Sequence, residues 1–390
     1  MKVVFLLLIS FLFMGCERVD EEVTKHILQK SNKLDVYSDT YLYDLFDTYD
    51  IELLTKNILI DTKSVGENSY TIEYKYEKKN YTYDLKYEVV DREAPRYFGG
   101  TNKTIIKNYE GDLCNLVMYG DNYDGDLSCV IEGNYNLDKV GTYDLIYKIT
   151  DNSNNETKIK VTLNVINKNS SSNNDSSTKK TEFKDILEKH KNENTEVGID
   201  VSKWQGDIDF NKVKNAGATF VMMRIGVQTK ANGELSIDPY FEQNIKNAKD
   251  AGLKVGVYLY SIATSSKEAK NHADWVIKTL KGEQLDLPIV FDWENWSKWN
   301  TYKISLYDIN NIANTFMNRV EEKGYKGMLY SSKYYLENIW SNKLNYPVWL
   351  AHYTSKTSYK GDYMIWQLSN TGRIDGIYGD VDINVLYKKS

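Results

Sequence analysis

The sequence predicts a multidomain protein: two all-β sandwiches in tandem, followed by an irregular (β/α)8 barrel of the TIM type. Three observations carry this. Aromatic and branched residues alternate with polar ones through the first part of the chain, the period of a strand with one buried face. A Val-Gly step before an alternating aromatic run occurs twice, at Val65-Gly66 and Val140-Gly141, which sets a repeat of about 75 residues. From Val197 onward, apolar strand-like runs alternate with helical stretches, the pattern of a parallel sheet.

The totals narrow the function. At 390 residues the chain has room for two or three domains. A net charge of −6 argues against nucleic acid, which selects basic patches. The 32 tyrosines suit strands and carbohydrate contact alike. The 4 histidines, His26, His190, His272 and His352, stand at no metal-ligand spacing. No His-Glu-x-x-His or Cys-x-x-Cys motif occurs, so neither a metal nor another cofactor is implied. A serine–histidine triad has no supporting motif.

Residues 1–15 read as an export signal. After Lys2, an apolar run from Val3 to Met14 is too short to span a bilayer and fits a signal-peptide core. The end of the run, Phe13-Met14-Gly15-Cys16, resembles a bacterial lipoprotein signal, although Phe13 stands where such signals usually carry a leucine-like residue. The resemblance implies that Cys16 is acylated and ties the protein to the lipid bilayer at the outer face of the cell membrane. The alternative is a plain secretory signal cleaved nearby. Of 3 cysteines, Cys114 and Cys129 then remain. In an exported protein they could form a disulfide or stay free thiols.

The first sandwich is expected over residues 31–92. Tyr70, Ile72, Tyr74 and Tyr76 lie two apart, as do Tyr81, Tyr83, Leu85 and Tyr87. The second is expected over 93–167. It resembles bacterial immunoglobulin-like surface domains on Asp91-Arg92-Glu93-Ala94-Pro95, Asp121-Asn122-Tyr123-Asp124-Gly125-Asp126, Val140-Gly141-Thr142-Tyr143 and Ile149-Thr150-Asp151-Asn152. Ser153-Asn154 replaces the Gly-Asn usual after that aspartate; the first sandwich matches only weakly. The run Asp121–Asp126 lacks the spaced ligands and closing glutamate of an EF-hand and reads as a structural turn. The resemblance implies spacers or adhesion units. Residues 168–194 form a polar linker, with a short helix over Glu182–Lys191.

The barrel occupies 195–390. Its strands are expected to begin at Val197, Phe220, Lys254, Pro288, Gly327, Pro347, Tyr363 and Gly379. Helices fit at Asp209–Ala216, Pro239–Ala251, Ser266–Leu280 and Tyr307–Lys323, with Pro239 as a start signal and Gly252 and Gly324 as stops. The later connections are too short for full helices, and about 195 residues is small for this fold.

The barrel gives the acids a place. Asp292 and Glu294 flank Trp293, with Trp296 and Trp299 following. On a strand they share one face, with Cβ atoms roughly 6.5 Å apart. Active sites of such barrels lie at the C-terminal ends of strands. Asp292 and Glu294 end strand four, Asp200 ends strand one, and Asp382 lies on strand eight. Four acids from three strands thus converge. Tyr258 and Tyr260 on strand three, with Trp349, Tyr353 and Trp366 on strands six and seven, are expected to line the cavity and stack on sugar rings.

Residues 197–387 resemble a glycoside hydrolase family 25 lysozyme, an N-acetylmuramidase. The carrying motifs run in the family's order: Gly198-Ile199-Asp200-Val201-Ser202 with Trp204-Gln205-Gly206; Phe220 to Gly226 with Arg224; Gly256-Val257-Tyr258; Asp292-Trp293-Glu294; Trp349-Leu350-Ala351-His352-Tyr353; Trp366-Gln367; and Val381-Asp382-Ile383-Asn384. The resemblance implies Glu294 as general acid with Asp200, Asp292 and Asp382 beside it. It also implies a substrate-binding set that includes Arg224, Trp296 and Gln367, and no metal. The implied substrate is the glycan strand of peptidoglycan, cut at the β-1,4 bond from N-acetylmuramic acid to N-acetylglucosamine. Asp292 could be a nucleophile or could orient the substrate's acetamido group; the Asp-x-Glu spacing favours the second, with Asp382 as an alternative partner. The rival readings are a non-catalytic wall-binding or adhesion lipoprotein and a chitinase-like glycosidase.

Overall fold

Alternation in the first strands closes a hairpin. In this computed structural model, which describes residues 26–168, 179–228, 234–341 and 345–388, Gly66–Tyr76 pairs antiparallel with Lys79–Val90 over their full length. Ile72, Tyr74, Leu85, Tyr87 and Val89 are buried, while the residues between them face out. Glu77 and Lys78 both take positive φ, 44° and 70°, as the mirror-image two-residue turn of a right-twisted hairpin requires. This hairpin belongs to a unit ending at Glu93. The signal segment and Cys16 lie outside the described residues.

A second compact unit runs from Ala94 to Ser390 and holds both the second β-rich module and the alternating region. In the module, Ser128–Glu132, Gly141–Thr150 and Glu156–Ile166 pair antiparallel, and Asn102–Ile106 joins the last of them in parallel. Arg96–Phe98 pairs with Met118–Gly120 as a separate two-stranded ladder. Leu145, Tyr147, Ile149, Val161, Leu163 and Val165 fill the space between. Cys114 and Cys129 are bridged here, the first of the two states that their spacing left open.

Hydrogen bonds explain the turn at Asp121. Its Oδ1 accepts from the backbone N–H of Tyr123 and Asp124, at 2.8 and 2.9 Å. Asp124 in turn accepts from Asn152, and Asp151 from Asn155. The three carboxylates are buried and bring oxygens within 4.8 Å of one another. Oxygen ligands of this kind suit a hard cation, but here the same side chains brace turns.

The alternating region closes into a ring of eight strands: Thr195–Val201, Phe220–Gln228, Lys254–Tyr260, Ile289–Asp292, Gly327–Ser332, Val348–Ala351, Ile365–Arg373 and Val381–Tyr387. Strands one to seven pair in parallel, each with the next. Strand eight runs antiparallel to both seven and one. That departs from a (β/α)8 barrel of eight parallel strands. The physical reason is connection length: strands seven and eight are joined by residues 374–380 with no helix between them, and an antiparallel return needs only a short loop, whereas the longer helix-free connection after strand six still returns in parallel. Helices Phe210–Asn215, Phe241–Asp250, Ser266–Leu280 and Leu306–Glu321 cover the outside, within one or two residues of the expected limits.

Two apolar layers follow the period of two. Ile199, Val221, Val257, Phe291, Leu329 and Ile383 face the helices. Phe220, Met222, Val290, Met328, Trp349 and Leu386 fill the ring's interior. Gly198 is required between strands one and two, since a Cβ there would lie 2.3 Å from the carbonyl oxygen of Phe220.

Candidate active site

Inward-facing positions at one end of the ring carry polar groups instead of apolar ones. Because strand eight is reversed, its beginning lies where the parallel strands end. Register places Asp382 directly opposite Asp200, Tyr260 opposite Asp292, and Asp292 opposite Tyr330. Strand four stops at Asp292; Trp293 turns into the protein and Glu294 opens to solvent. The structure therefore brings together all four acids expected from the sequence.

Asp200 carries the densest hydrogen bonding of the four acids. It is buried, yet its Oδ2 accepts from Gln367 Nε2 at 2.9 Å and from Asn384 Nδ2 at 2.7 Å. Each amide is aimed by an aromatic donor. Tyr330 and Tyr353 hydroxyls donate to Gln367 Oε1, at 2.8 and 3.0 Å. Trp349 Nε1 donates to Asn384 Oδ1 at 2.8 Å. With both amide oxygens occupied, both NH2 groups must point at the carboxylate. Burial raises the Asp200 pKa, and the bonds from Asn384, Gln367 and Asp382 work against that rise. Bonds to the charged form favour it.

The other three acids are also pushed toward the protonated form. Burial, then the charge of Asp200 and a hydrogen bond to it, pushes Asp382 up to about 9. Burial, then Glu294 and Asp200, raises Asp292 well above the usual range, against the pull of Arg224. Burial, then Asp200, lifts Glu294 to about 7. Glu294 is exposed by surface area while its carboxyl is crowded by protein atoms. Water reaches it, but a full hydration shell cannot form. Tyr260, half-buried beside Asp292 and Glu294, rises to about 12 and stays a neutral donor.

The expected binding aromatics separate. Tyr258 and Tyr260 face the interior, and Tyr353 is 52% exposed at the open end. Three indoles do not offer their faces. Trp349 is buried inside the ring, edge-on to Tyr258 and Tyr330. Trp366 points outward into the helix layer, because its neighbour Gln367 takes the inward position and adjacent strand residues alternate. Trp296 is buried, stacked on Tyr335 at 4.1 Å. Arg224 is bound to Asp238, with Nε and a terminal nitrogen 2.8 and 2.6 Å from Oδ2. Gln367 is buried and serves Asp200.

Sequence reasoning missed Tyr330 and Asn384 as site residues. Asn384 stood two after Asp382, which on a strand means the same face; Tyr330 carried no signal. Trp204, just past strand one, is 76% exposed with Lys203 Nζ 4.7 Å from its ring centre.

Similarity to known proteins follows the ring. Residues 199–377 match the model of glycosyl hydrolases family 25. Protein YegX of Escherichia coli, itself uncharacterized, is 31% identical over 192 residues, covering 48% of this chain and 68% of that protein. The autolytic lysozyme of Clostridium acetobutylicum is 29% identical over 189 residues, covering 48% of this chain and 54% of that one. Lysozyme M1 of Streptomyces globisporus is 30% identical over 200 residues, covering 48% and 66%. With the matched span enclosing Asp200, Asp292 and Glu294, the chain belongs to glycosyl hydrolases family 25 and is a glycosidase.

Proposed function

We propose that the protein is a peptidoglycan hydrolase of the lysozyme type, an N-acetylmuramidase cutting the β-1,4 bond between N-acetylmuramic acid and N-acetylglucosamine. The carrying observation is the pair at the end of strand four. Glu294 titrates near 7, and Asp292 Oδ1 is buried without a hydrogen-bond partner. A lone buried carboxylate oxygen is costly unless a ligand completes it. An acetamido N–H of the substrate sugar would do so and would favour the ionised form of Asp292. Positive charge developing on that nitrogen, as the acetamido oxygen attacks the anomeric carbon, then strengthens the contact. Glu294 gives its proton to the leaving oxygen, and its carboxylate later takes one from the attacking water. The two amide donors on Asp200 oppose its burial and favour a charged carboxylate nearby. Trp204 and Tyr353 supply exposed aromatic faces for the glycan.

The proposal extends to place. The signal-like residues before Cys16 support export and acylation, and the Cys114–Cys129 bridge fits an oxidising compartment. The enzyme then acts in the wall from the outer face of the membrane, with immunoglobulin-like modules between anchor and ring.

Digestion of purified peptidoglycan with the full chain tests the reading. Muramic reducing ends are expected. Glucosamine ends would instead mean the chitinase-like route, and no new ends would mean a binder. Glu294→Gln should fold and lose about 10²–10⁴-fold in rate; wild-type lysis by that variant would remove Glu294 from its role.

A further inference from the structure

The loop after Glu294 leans on the second β-rich module. Trp299 Nε1 donates to the Tyr119 carbonyl at 2.8 Å. Asn300 Nδ2 donates to the Val117 carbonyl at 2.8 Å and to that of Cys114 at 3.3 Å, and Asn300 Oδ1 faces Tyr119 N at 3.4 Å. Helix Leu306–Glu321 begins on the same surface: Leu306 N–H donates to the Asp121 carbonyl at 2.7 Å, and Tyr307 N–H to that of Asn122 at 3.3 Å. First-turn N–H groups have no partner within their own helix, so here the module supplies the acceptors. The approach is close. A Cβ on Gly125 would lie 2.2 Å from the Lys303 carbonyl oxygen, and one on Gly120 would lie 3.1 Å from Trp299 Nε1.

What the module grips is joined to the acid. Trp299 is buried and packs edge-on to Trp293, 6.0 Å between ring centres, and tilted against Trp296 at 5.8 Å. Trp293, fully buried with its Nε1 bonded to the Ala263 carbonyl, is the residue between Asp292 and Glu294. Trp293 and Trp296 are 4.6 Å apart. Strand pairing ends at Asp292, so Glu294 has no ladder to hold it. Its backbone is held by this indole cluster and by the turn in which Trp296 N–H bonds to the Glu294 carbonyl.

We propose that the module over residues 94–167 is an integral part of the catalytic unit, with Trp299 and Asn300 as positioning residues that transmit its grip through the Trp293–Trp296 pair to Glu294. This replaces the expectation of a mere spacer. It rests on the reading of Glu294 as the acid. The Cys114–Cys129 bridge serves the same end, since it ties down the segment Leu113–Leu116 whose neighbouring carbonyls hold Asn300.

Three full-length variants test it: Gly125→Val, which pushes the module off Lys303; Asn300→Ala, which removes the amide; and Trp299→Phe, which keeps an aromatic ring but removes the N–H together with the pyrrole half of the indole. Each is assayed on soluble glycan fragments beside Glu294→Gln and wild type. The expected result is a kcat lower by about tenfold for Gly125→Val and Asn300→Ala, and less for Trp299→Phe, with KM within about twofold. The alkaline limb of kcat/KM should also move to lower pH, since a loosened cluster lets water back to the Glu294 carboxyl. Thermal melts show which variants remain folded, since Trp299→Phe leaves a cavity in the buried cluster. Wild-type kcat and pH limb in any folded variant of Asn300 or Gly125, with Glu294→Gln inactive, overturns the positioning role alone. An active Glu294→Gln overturns the acid assignment and the positioning role with it.

Discussion

Asp382 and Asp200 face each other across strands eight and one, and the site surrounds them differently. Two amides and Asp382 bond to Asp200, while burial, the charge of Asp200 and the bond to it push Asp382 up to about 9. The consequence is a stability that depends on pH. Folded values of about 9 for Asp382 and about 7 for Glu294 lie above the ordinary 3.8 and 4.5. The folded chain therefore holds protons that the unfolded chain releases. The stabilisation they represent is complete below about pH 4 and is lost as pH rises through 7 to 9. The melting temperature of wild type should fall from pH 5 to pH 9. Asp382→Asn, which keeps the shape and removes the titration, should fall less steeply. Equal slopes in thermal melts of the two proteins would show that Asp382 is not protonated in the fold. The same logic puts the loss of kcat/KM on the alkaline side at about pH 7, where Glu294 gives up its proton.

At the scale of the strand, parity decides which side chains can act. Gln367 faces in, so Trp366 faces out, where its Nε1 donates to the His352 carbonyl at 2.9 Å and its ring meets His190. Trp366→Ala should thus behave as a core deletion, losing about 3–5 kcal/mol of stability. KM for glycan fragments should stay within about twofold in the variant that remains folded. A large rise in KM with unchanged stability would return Trp366 to the binding face. Reversal of strand eight has the opposite effect on Asp382: it moves the start of a strand to the end of the ring where the others finish. In an all-parallel barrel the same residue would lie at the far end, away from Asp200.

At the scale of the molecule, residues 94–390 form one compact unit, and the proposed anchor lies ahead of everything described. The acylation proposed for Cys16 would fix where the enzyme works. Cys16→Ala should move the protein from the membrane fraction to the medium, with activity on soluble fragments unchanged. Fractionation that finds the variant still wholly membrane-bound would end the lipoprotein assignment. Among the described residues no helix is long and apolar enough to cross a membrane, so no described helix offers a second anchor.

The sequence alone marked most of the elements and offered the four acids as candidates; that Asp382 shares an end with the other three depended on the reversal of strand eight. Period-two alternation around Tyr74 and Leu85, the helix limits at Ser266–Leu280, and Asp292 spaced two from Glu294 are local patterns, and local patterns follow from the chain's own geometry. Only the tertiary structure decided what depends on which strands become neighbours. Strand eight's direction was one such matter, because a short connection permits more than one return. The burial of Trp296, Trp349 and Trp366 was another, because an indole reads the same in sequence whether it meets a sugar or a helix. Tyr330 became legible only when the ring closed and set it against Gln367. The grip of Val117, Tyr119 and Asp121 on a loop nearly two hundred residues later was invisible for the same reason: main-chain carbonyls carry no sequence signal, and only folding shows what they hold.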